Sequence, residues 1–401
     1  MSVSALHRLR IIVLGYVVRG PLGGMVWSNL QYLQGLARLG HDVYFLEDSD
    51  DYPSCYDPRR WVTDTDPTYG LRFAEEVFGR IGFGARWAYH DAHTARWHGP
   101  CAERMLDLCA SAELVLNLCG VNPLRPWLLT IPARALIDED PAFMQIRHLT
   151  DPAARKRALQ HTAFFSFGEN IGGSGCTIPS DGLPWRPTRQ PVVMDTIPLA
   201  PAAHHGRFTT VMQWESYPAK ECQGVRYGMK DDSLLPLIEL PRRVSAILEL
   251  AIGSASAPRA LLQQQGWMIR DPRKISRDPW TYERYLRESK AEFSVAKHGY
   301  VISRSGWFSE RSAAYLAMGR PVVTQQTGFS DWLRADAGVL PFETMEEAIE
   351  AIEEVEAHYS RHREAARAVA ETYFDAMKIL PRLLEDVLRP AEVARESCSA
   401  W

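Results

Sequence analysis

The segment SGWFSERSAAYLAMGRPVVTQQTGFSDWL, residues 305–333, contains the signals of a turn, a helix and a strand in immediate succession. Ser309 stands at the position of a helix N-cap, and apolar residues follow it at helical spacing up to Met318. Gly319 and Pro321 end the helix, and a short run of β-branched residues comes next. A loop, helix and strand in this order are typical of α/β proteins.

The amino end of this helix has the properties of an anion site. Unpaired backbone N–H groups and the partial positive charge of a helix start suit a phosphate oxygen. Gly306 allows the preceding backbone to approach a ligand closely, and Arg304 and Arg311 lie within reach of a diphosphate. The alternative is an ordinary capped helix, with surface arginines and a core Trp307.

The first 48 residues predict a βαβ unit. The apolar run from Ile11 to Val18 indicates a buried strand, and Gly23 and Gly24 indicate a turn before a helix that ends at Gly40. The run HDVYFLED, residues 41–48, is a second strand that ends in carboxylates. Such a unit requires a parallel sheet. Further apolar runs ending in polar residues occur at 112–119, 133–140, 161–170, 208–216, 246–253, 292–299 and 320–326.

Prolines divide the chain. Six of the 26 prolines lie between residues 179 and 207, where they favour extended segments over paired strands. We therefore predict two doubly wound Rossmann-like α/β domains: residues 1–185, a linker at 186–207, and residues 208–375. A C-terminal helix within 376–401 is expected to pack back on the first domain. Pro381 should kink or interrupt it.

Composition excludes several classes of protein. A chain of 401 residues with 46% hydrophobic and 23% charged residues is typical of a soluble protein of two domains. Its net charge of −4 gives no reason to expect a nucleic-acid partner. Seven cysteines without CxxC spacing predict a reducing, cytoplasmic setting. The first apolar run is too short for a transmembrane segment, and no signal-peptide cleavage site follows it.

We expect neither a metal nor a resident cofactor. His90, His93, His98 and Cys101 have no standard zinc-ligand spacing, so a solvated loop is the better interpretation. Asp64 and Asp66, like Asp138 and Asp140, have a DxD spacing that is common by chance.

The segment GWFSERSAAYLAMGRPVVTQQTG resembles the donor-binding segment of the GT-B glycosyltransferases, and the matching positions are Gly306, Phe308, Ala317, Gly319, Pro321 and Val322. The N-terminal segment GPLGGMVWSNLQYLQGLARLGHDV is similar to the glycine loop and helix that open these enzymes. The resemblance implies two Rossmann-like domains facing a cleft, with a nucleotide sugar bound by the second. Many retaining members carry two glutamates where this chain has Gly306 and Ala314. We expect Glu310 to take over the ribose contact.

Further donor contacts follow from the same resemblance. Basic residues after the strand at 208–216 neutralise the diphosphate in the family, which makes Lys220, Arg226 and Lys230 candidates. The predicted donor-binding residues are Gly23, Gly24, Trp214, Lys230, Trp267, Arg304, Gly306, Ser309, Glu310, Arg311, Ser312, Thr327 and Gly328.

Carboxylates at strand ends of the first domain are the candidate catalytic groups. We predict a base among Asp138 and Asp140, with Glu169 as a further catalytic residue; helix capping is the alternative for the aspartates.

The sequence thus predicts a metal-independent glycosyltransferase that moves a sugar from a nucleotide-diphosphate donor to a small-molecule or glycan acceptor. We expect it to be a monomer or homodimer. A sugar-nucleotide epimerase of the same fold and a non-catalytic nucleotide-sugar-binding protein remain alternatives.

Overall fold

The computed structural model describes residues 7–334 and 336–389. Its strands are β1 Arg10–Leu14, β2 Asp42–Asp48, β3 Cys55–Asp57, β4 Val62–Asp64, β5 Trp87–Asp91, β6 Arg96–His98, β7 Leu114–Leu118, β8 Ala133–Asp138, β9 Ala163–Ser166, β10 Trp185–Pro187, β11 Phe208–Gln213, β12 Lys220–Cys222, β13 Val225–Tyr227, β14 Leu248–Gly253, β15 Met268–Arg270, β16 Ala291–Ser294, β17 Val322–Gln325 and β18 Val339–Phe342.

The α-helices are α1 Gly23–Arg38, α2 Thr68–Arg80, α3 Met105–Ala110, α4 Pro126–Leu129, α5 Phe143–Thr150, α6 Pro152–Ala158, α7 Lys230–Leu234, α8 Arg259–Gln264, α9 Pro272–Ile275, α10 Pro279–Glu288, α11 His298–Ile302, α12 Glu310–Ala317, α13 Met345–Ala357, α14 Tyr359–Tyr373 and α15 Ala376–Leu388.

Two sheets form the cores of two α/β domains. The first has the strand order β10-β9-β8-β7-β1-β2-β5-β6, and its pairs are parallel except that β6 runs antiparallel to β5. The second has the order β15-β14-β11-β16-β17-β18, with parallel pairs throughout. Central strands such as β7 and β14 are buried along their whole length, as expected for sheets covered by helices on both faces. The predicted fold class is confirmed.

The seven strand regions expected after the first βαβ unit contain β7, β8, β9, β11, β14, β16 and β17. Two local predictions need correction. Gly23 and Gly24 do not form a turn but are the first two residues of α1. Helix α15 continues through Pro381, which lies at its sixth position and does not interrupt it. The hairpin β5–β6 and strands β10, β15 and β18 were not predicted.

The connection between the sheets runs beside the start of α15. The Val192 amide donates to the Phe374 carbonyl at 2.7 Å, and the Ala376 amide donates to the Val192 carbonyl at 2.8 Å. Leu380, Leu383 and Leu384 of α15 are buried in the same apolar core as α1. The connecting segment at Val192 and the start of α15 are therefore hydrogen-bonded to each other beside the first domain.

No helix in the described ranges has the length and apolar character needed to cross a membrane. Six cysteines are free thiols, at positions 55, 101, 109, 119, 176 and 222, and Cys398 lies outside the described residues.

Candidate active site

Each sheet has one point at which the strand order reverses. In the first sheet this point lies between β1 and β7, and in the second it lies between β11 and β16. Ligands of open α/β sheets bind in the crevice outside the carboxyl ends of the strands at such a point. The residues that follow these strand ends therefore define the candidate site.

Helix α12 begins close to the reversal point of the second sheet. Ser309 caps it, because its hydroxyl accepts the Arg311 amide at 3.2 Å. Within the described residues, the amides of Glu310 and Ser312 have no hydrogen-bond acceptor. The Ser312 hydroxyl is also buried without a partner. The start of α12 thus offers two free N–H donors and one free hydroxyl.

Lys230 is the first residue of α7 and lies near the start of α12. The Trp214 carbonyl, just beyond β11, accepts the Asp231 amide at 3.1 Å and so fixes where α7 begins. The pKa of Lys230 is lowered to about 7, mainly by burial and also by the Arg311 cation, while Glu310 opposes the change. A bound anion would favour the charged form of this lysine.

Arg311 does not have the free guanidinium that the sequence led us to expect. Its Nε lies 2.5 Å from Oε1 of the buried Glu292, and its terminal nitrogens donate to the Val211 carbonyl and the Ser294 hydroxyl. These contacts hold α12 against β11 and β16. Arg311 therefore acts on the site as a fixed buried charge and by positioning the helix.

Across the cleft, Glu139 follows β8 and Cys119 follows β7. The pKa of Glu139 is raised to about 7, mainly by burial and also by the nearby carboxyl group of Glu310, while the neighbouring Cys119 thiol opposes the rise. Glu139 and Glu310 thus approach each other from opposite domains. Tyr32 of α1 is also close to Glu139, and its buried hydroxyl has no partner.

The predicted catalytic aspartates are both engaged in other contacts. Asp138 is fully buried and accepts hydrogen bonds from Gln145 at 3.0 Å and Ser166 at 2.8 Å. Asp140 accepts a hydrogen bond from the Lys297 ammonium at 2.8 Å and further hydrogen bonds from the hydroxyls of Tyr217 and Tyr300. Neither carboxylate is free to take a proton from an acceptor, so both fit structural roles better.

The carboxylate of Glu169 is likewise engaged in an ion pair, with Arg189. The Nε of Arg189 donates to its Oε1 at 2.9 Å, and Arg189 stacks over the ring of Trp332, 4.3 Å from its centroid. The pair joins the end of β9 to the segment after β10 and to the second domain. No contact joins Glu169 to the start of α12 in the described chain.

Gly23 and Gly24 lie against the second domain and not against an open phosphate site. The Gly23 amide donates to the Ser276 carbonyl at 2.6 Å, and the Gly24 amide donates to the Ser276 hydroxyl at 3.0 Å. A Cβ at Gly23 would lie 2.3 Å from the Asp278 carbonyl oxygen. These glycines are needed for close approach of the domains.

The loop before α12 is approached by Asn170 of the first domain. Gly306 has φ +74°, and a Cβ there would lie 2.7 Å from the Asn170 side chain. The Asn170 amide group donates to the carbonyls of Arg304 and Gly328. Arg304 itself is exposed and pairs with Asp331 at 3.5 Å, away from the helix start. Gly306, Gly328 and Arg304 therefore shape the domain contact.

Thr327 is hydrogen-bonded to the same loop. It is buried, its hydroxyl donates to the Trp307 carbonyl, and its own carbonyl accepts the Gly306 amide at 2.8 Å. Its hydroxyl and its carbonyl are thus engaged within the second domain.

The two predicted tryptophans belong to the core of the second domain. Trp214 is buried, and only its carbonyl acts on the site, through α7. Trp267 precedes β15, so it lies at the amino end of that strand, opposite the cleft. It is 2% exposed, and its indole N–H donates to the Ile238 carbonyl at 2.8 Å. Trp267 is therefore not available to a nucleobase.

The basic hairpin residues Lys220 and Arg226 are exposed, and Arg226 pairs with Asp232 at 2.6 Å. Of the three basic candidates in this region, Lys230 is the one that lies beside α12.

No group of three or more potential ligands among the described residues is arranged to hold a metal ion. His90 Nδ1 lies 2.7 Å from Asp48, and the Cys101 thiol donates to the Ala85 carbonyl, so this histidine and this cysteine have separate partners. Two surface depressions of about 400 and 380 Å³ lie at the amino ends of β1 and β2, and neither includes a candidate residue.

No protein-family model matches the sequence, and no curated protein matches it significantly. Solved structures do match its fold. An alpha-glucosyltransferase in complex with UDP and a DNA 13-mer superposes with a TM-score of 0.58 over 94% of this chain and 98% of its own, at 10% identity. HepE from Anabaena, in complex with UDP and glucose, gives 0.53 over 95% and 99%, at 11% identity. Sucrose-phosphate synthase from Thermosynechococcus elongatus gives 0.52 over 94% and 98%, at 12% identity.

The chain has the GT-B fold. At these identities the comparison establishes the architecture over nearly the whole chain.

Within this GT-B fold, Glu139 lies at the domain contact but was not among the predicted site residues. It stands between Asp138 and Asp140, and only the packing shows that both of these aspartates are bonded to other residues. Its position after an apolar strand, beside a second strand end, was a signal that the sequence did contain. Ala314, at the position of a family glutamate, is fully buried in the core.

Proposed function

We propose that the protein is a glycosyltransferase that moves a sugar from a nucleotide diphosphate to a hydroxyl group. The observation that carries the proposal is the open start of α12. There, the free amides of Glu310 and Ser312, the unpaired Ser312 hydroxyl and Lys230 surround one place at the reversal point of the second sheet.

This arrangement suits a departing diphosphate. Negative charge grows on the phosphate oxygens as the bond to the sugar breaks, and fixed donors aimed at that charge lower the barrier. The helix start and the Lys230 cation supply such donors without a divalent ion. We therefore include metal independence in the proposal.

Glu310 fits the ribose contact proposed for it. It occupies the first turn of α12, is only partly buried, and lies near both Lys230 and the opposite domain. A carboxylate accepts hydrogen bonds from two neighbouring hydroxyl groups. Ser309 and Arg311 contribute by fixing the helix start.

The similar structures suggest which donor to try first. The alpha-glucosyltransferase and HepE are described with bound UDP, and HepE also with glucose. We propose a uridine nucleotide as the first candidate here. The acceptor is proposed to be a small molecule or glycan that enters from the first domain, as the net charge of −4 gives no support to DNA. The unpaired cysteines agree with a cytoplasmic setting.

The test is a donor screen followed by transfer. Purified protein is incubated with UDP-, GDP-, ADP- and dTDP-linked sugars, with and without a mixture of hydroxyl-bearing acceptors and with and without a chelator. We expect one donor to raise the unfolding temperature and to be consumed only with an acceptor, regardless of chelator. Conversion of the donor to an epimer in the absence of acceptor, or binding without any transfer or hydrolysis, would contradict the proposal.

A further inference from the structure

Glu139 differs from Asp138 and Asp140, the two aspartates that flank it, in having no strong hydrogen-bond donor or cation against its carboxylate among the described residues. The Cys119 thiol, which is a weak donor, is the neighbouring group that favours its ionised form. Asp138 is fully buried and bonded to Ser166 and Gln145, and Asp140 is bonded to Lys297 and two tyrosines. Glu139 is also only partly buried, so a substrate can reach it.

The surroundings of Glu139 include a polar group that has no partner within residues 7–334 and 336–389. The hydroxyl of Tyr32 on α1 is fully buried, lies close to Glu139 and Cys119, and has no hydrogen-bond partner. Buried hydroxyls in native proteins are nearly always paired. A hydroxyl-bearing ligand bound between Tyr32 and Glu139 would supply the missing partner.

Glu139 also lies beside the second domain, because the next residue, Asp140, accepts a hydrogen bond from Lys297 of that domain at 2.8 Å. Glu310, in the first turn of α12, is close enough to raise the pKa of Glu139, and it lies near Lys230 as well. A sugar attached to a diphosphate at the start of α12 would thus lie between the helix and the end of β8.

We infer that Glu139 is the base that accepts the proton of the acceptor hydroxyl during transfer, an inference that rests on the proposed function. The acceptor oxygen forms a bond to the anomeric carbon while the bond from that carbon to the diphosphate breaks. The electron pair of the broken bond leaves with the diphosphate, which the start of α12 and Lys230 hold. The proton of the acceptor moves to a carboxylate oxygen of Glu139, and the anomeric configuration inverts.

The charged and titratable groups facing Glu139 suit it to this task. They are Tyr32 on α1, Cys119 after β7, Glu310 on α12, and Asp138 and Asp140 on its own segment. Burial and the three carboxylates make the ionised form of Glu139 more basic than an exposed glutamate. A base whose pKa lies near the working pH is the most effective one.

The experiment compares the full-length wild-type chain with Glu139→Gln, and with Glu76→Gln as the matched control on the exposed face of α2. For each protein, kcat with the donor found in the screen, the Kd for its nucleotide by calorimetry, and the anomeric configuration of the product are measured. We expect Glu139→Gln to lower kcat by about 10²-fold or more while the Kd changes less than about twofold. Glu76→Gln should match the wild type.

A chemical rescue separates a base from a merely structural group. Azide needs no deprotonation, so with azide as acceptor Glu139→Gln should form glycosyl azide at about the wild-type rate. The acidic limb of the wild-type pH profile, near pH 7, should be absent with azide. Glu139→Asp, which keeps the carboxyl group, should retain more activity than Glu139→Gln.

The outcomes distinguish the assignment of Glu139 as the base from the proposed glycosyltransferase function. If the wild type transfers sugar and Glu139→Gln retains more than about a third of its kcat, fails to respond to azide, or gives a product with retained configuration, the assignment of Glu139 is overturned and the proposed function stands. If the wild type transfers sugar to no acceptor and does not hydrolyse the donor, both are overturned.

Discussion

The Lys297 ammonium lies 2.8 Å from Oδ1 of Asp140, and this ion pair joins the second domain to the first. Tyr217 and Tyr300 of the second domain donate their hydroxyls to the same carboxylate, and the Lys297 cation lies over the rings of both. One aspartate thus gathers three donors from the opposite domain next to Glu139. The contact holds the two halves of the site in register.

Breaking this ion pair should weaken domain closure. Asp140→Asn and Lys297→Met should each reduce affinity for the donor, because binding then has to close the cleft without the pair. A double-mutant cycle on unfolding free energy should give a coupling of roughly 1–2 kcal/mol, since both groups are partly shielded from water. The more exposed pair Arg60–Asp64 is the matched control and should give less than about 1 kcal/mol. Equal couplings would refute the special role of Asp140.

The affinity for a nucleotide diphosphate should depend on the charge of Lys230. Its pKa of about 7 in the free protein means that the cation predominates below pH 7. A bound diphosphate favours the cation, so affinity should fall as pH rises above 7, by up to about tenfold per unit. Calorimetry between pH 6 and 9 measures this.

The matched control for Lys230 is the exposed Lys220. Lys230→Met should bind more weakly at pH 6 and lose the pH dependence assigned to this group, whereas Lys220→Met should keep both the affinity and the pH profile of the wild type. An unchanged profile in Lys230→Met would remove this lysine from the site.

His161 should make the fold sensitive to acid. Burial lowers its pKa to about 4. Its Nδ1 lies 3.0 Å from the Ala158 carbonyl, and its Nε2 lies 3.1 Å from the Asn117 amide, which suits a neutral ring. Because the unfolded chain takes up the proton near pH 6.5, stability from this group is present above that pH and is lost as pH falls towards 4. The loss should total about 3 kcal/mol.

Urea unfolding of wild type and His161→Gln at several pH values isolates this contribution. The difference in unfolding free energy between the two proteins should shrink as pH falls from 7 to 4. A difference that stays constant over that range would show that the ring is not held neutral.

Trp267 should matter for stability and not for donor binding. Trp267→Phe removes the indole hydrogen bond to Ile238 and part of the buried ring, which should cost roughly 1–3 kcal/mol. The Kd for the nucleotide should change less than about twofold. A large loss of affinity with unchanged stability would restore the original assignment of this residue to the nucleobase.

Periodicity and turn residues were enough to predict the fold. The strand at 208–216 and the helix after Ser309 depend on local signals, namely apolar runs and a capping hydroxyl, that survive in the folded chain. The site was less predictable, because the availability of a side chain depends on distant partners. Arg311 forms an ion pair with Glu292, which is 19 residues away in sequence. Asp140 forms one with Lys297, which is 157 residues away.

The dependence on distant partners also explains why two glycines have a role other than the predicted one. Gly23 and Gly306 were expected to admit a ligand, since glycine permits close approach of any group. In the structure the approaching groups are Asp278 and Asn170. Local sequence shows that something comes close at these positions, but only the arrangement of the domains shows what it is.

The most direct test is a crystal structure with the nucleotide sugar that gives the largest thermal shift. We expect a phosphate oxygen within hydrogen-bond distance of the Glu310 or Ser312 amide, with the Ser312 hydroxyl and Lys230 also in contact and the sugar directed towards Glu139. A diphosphate bound elsewhere in the chain, with the start of α12 empty, would contradict it.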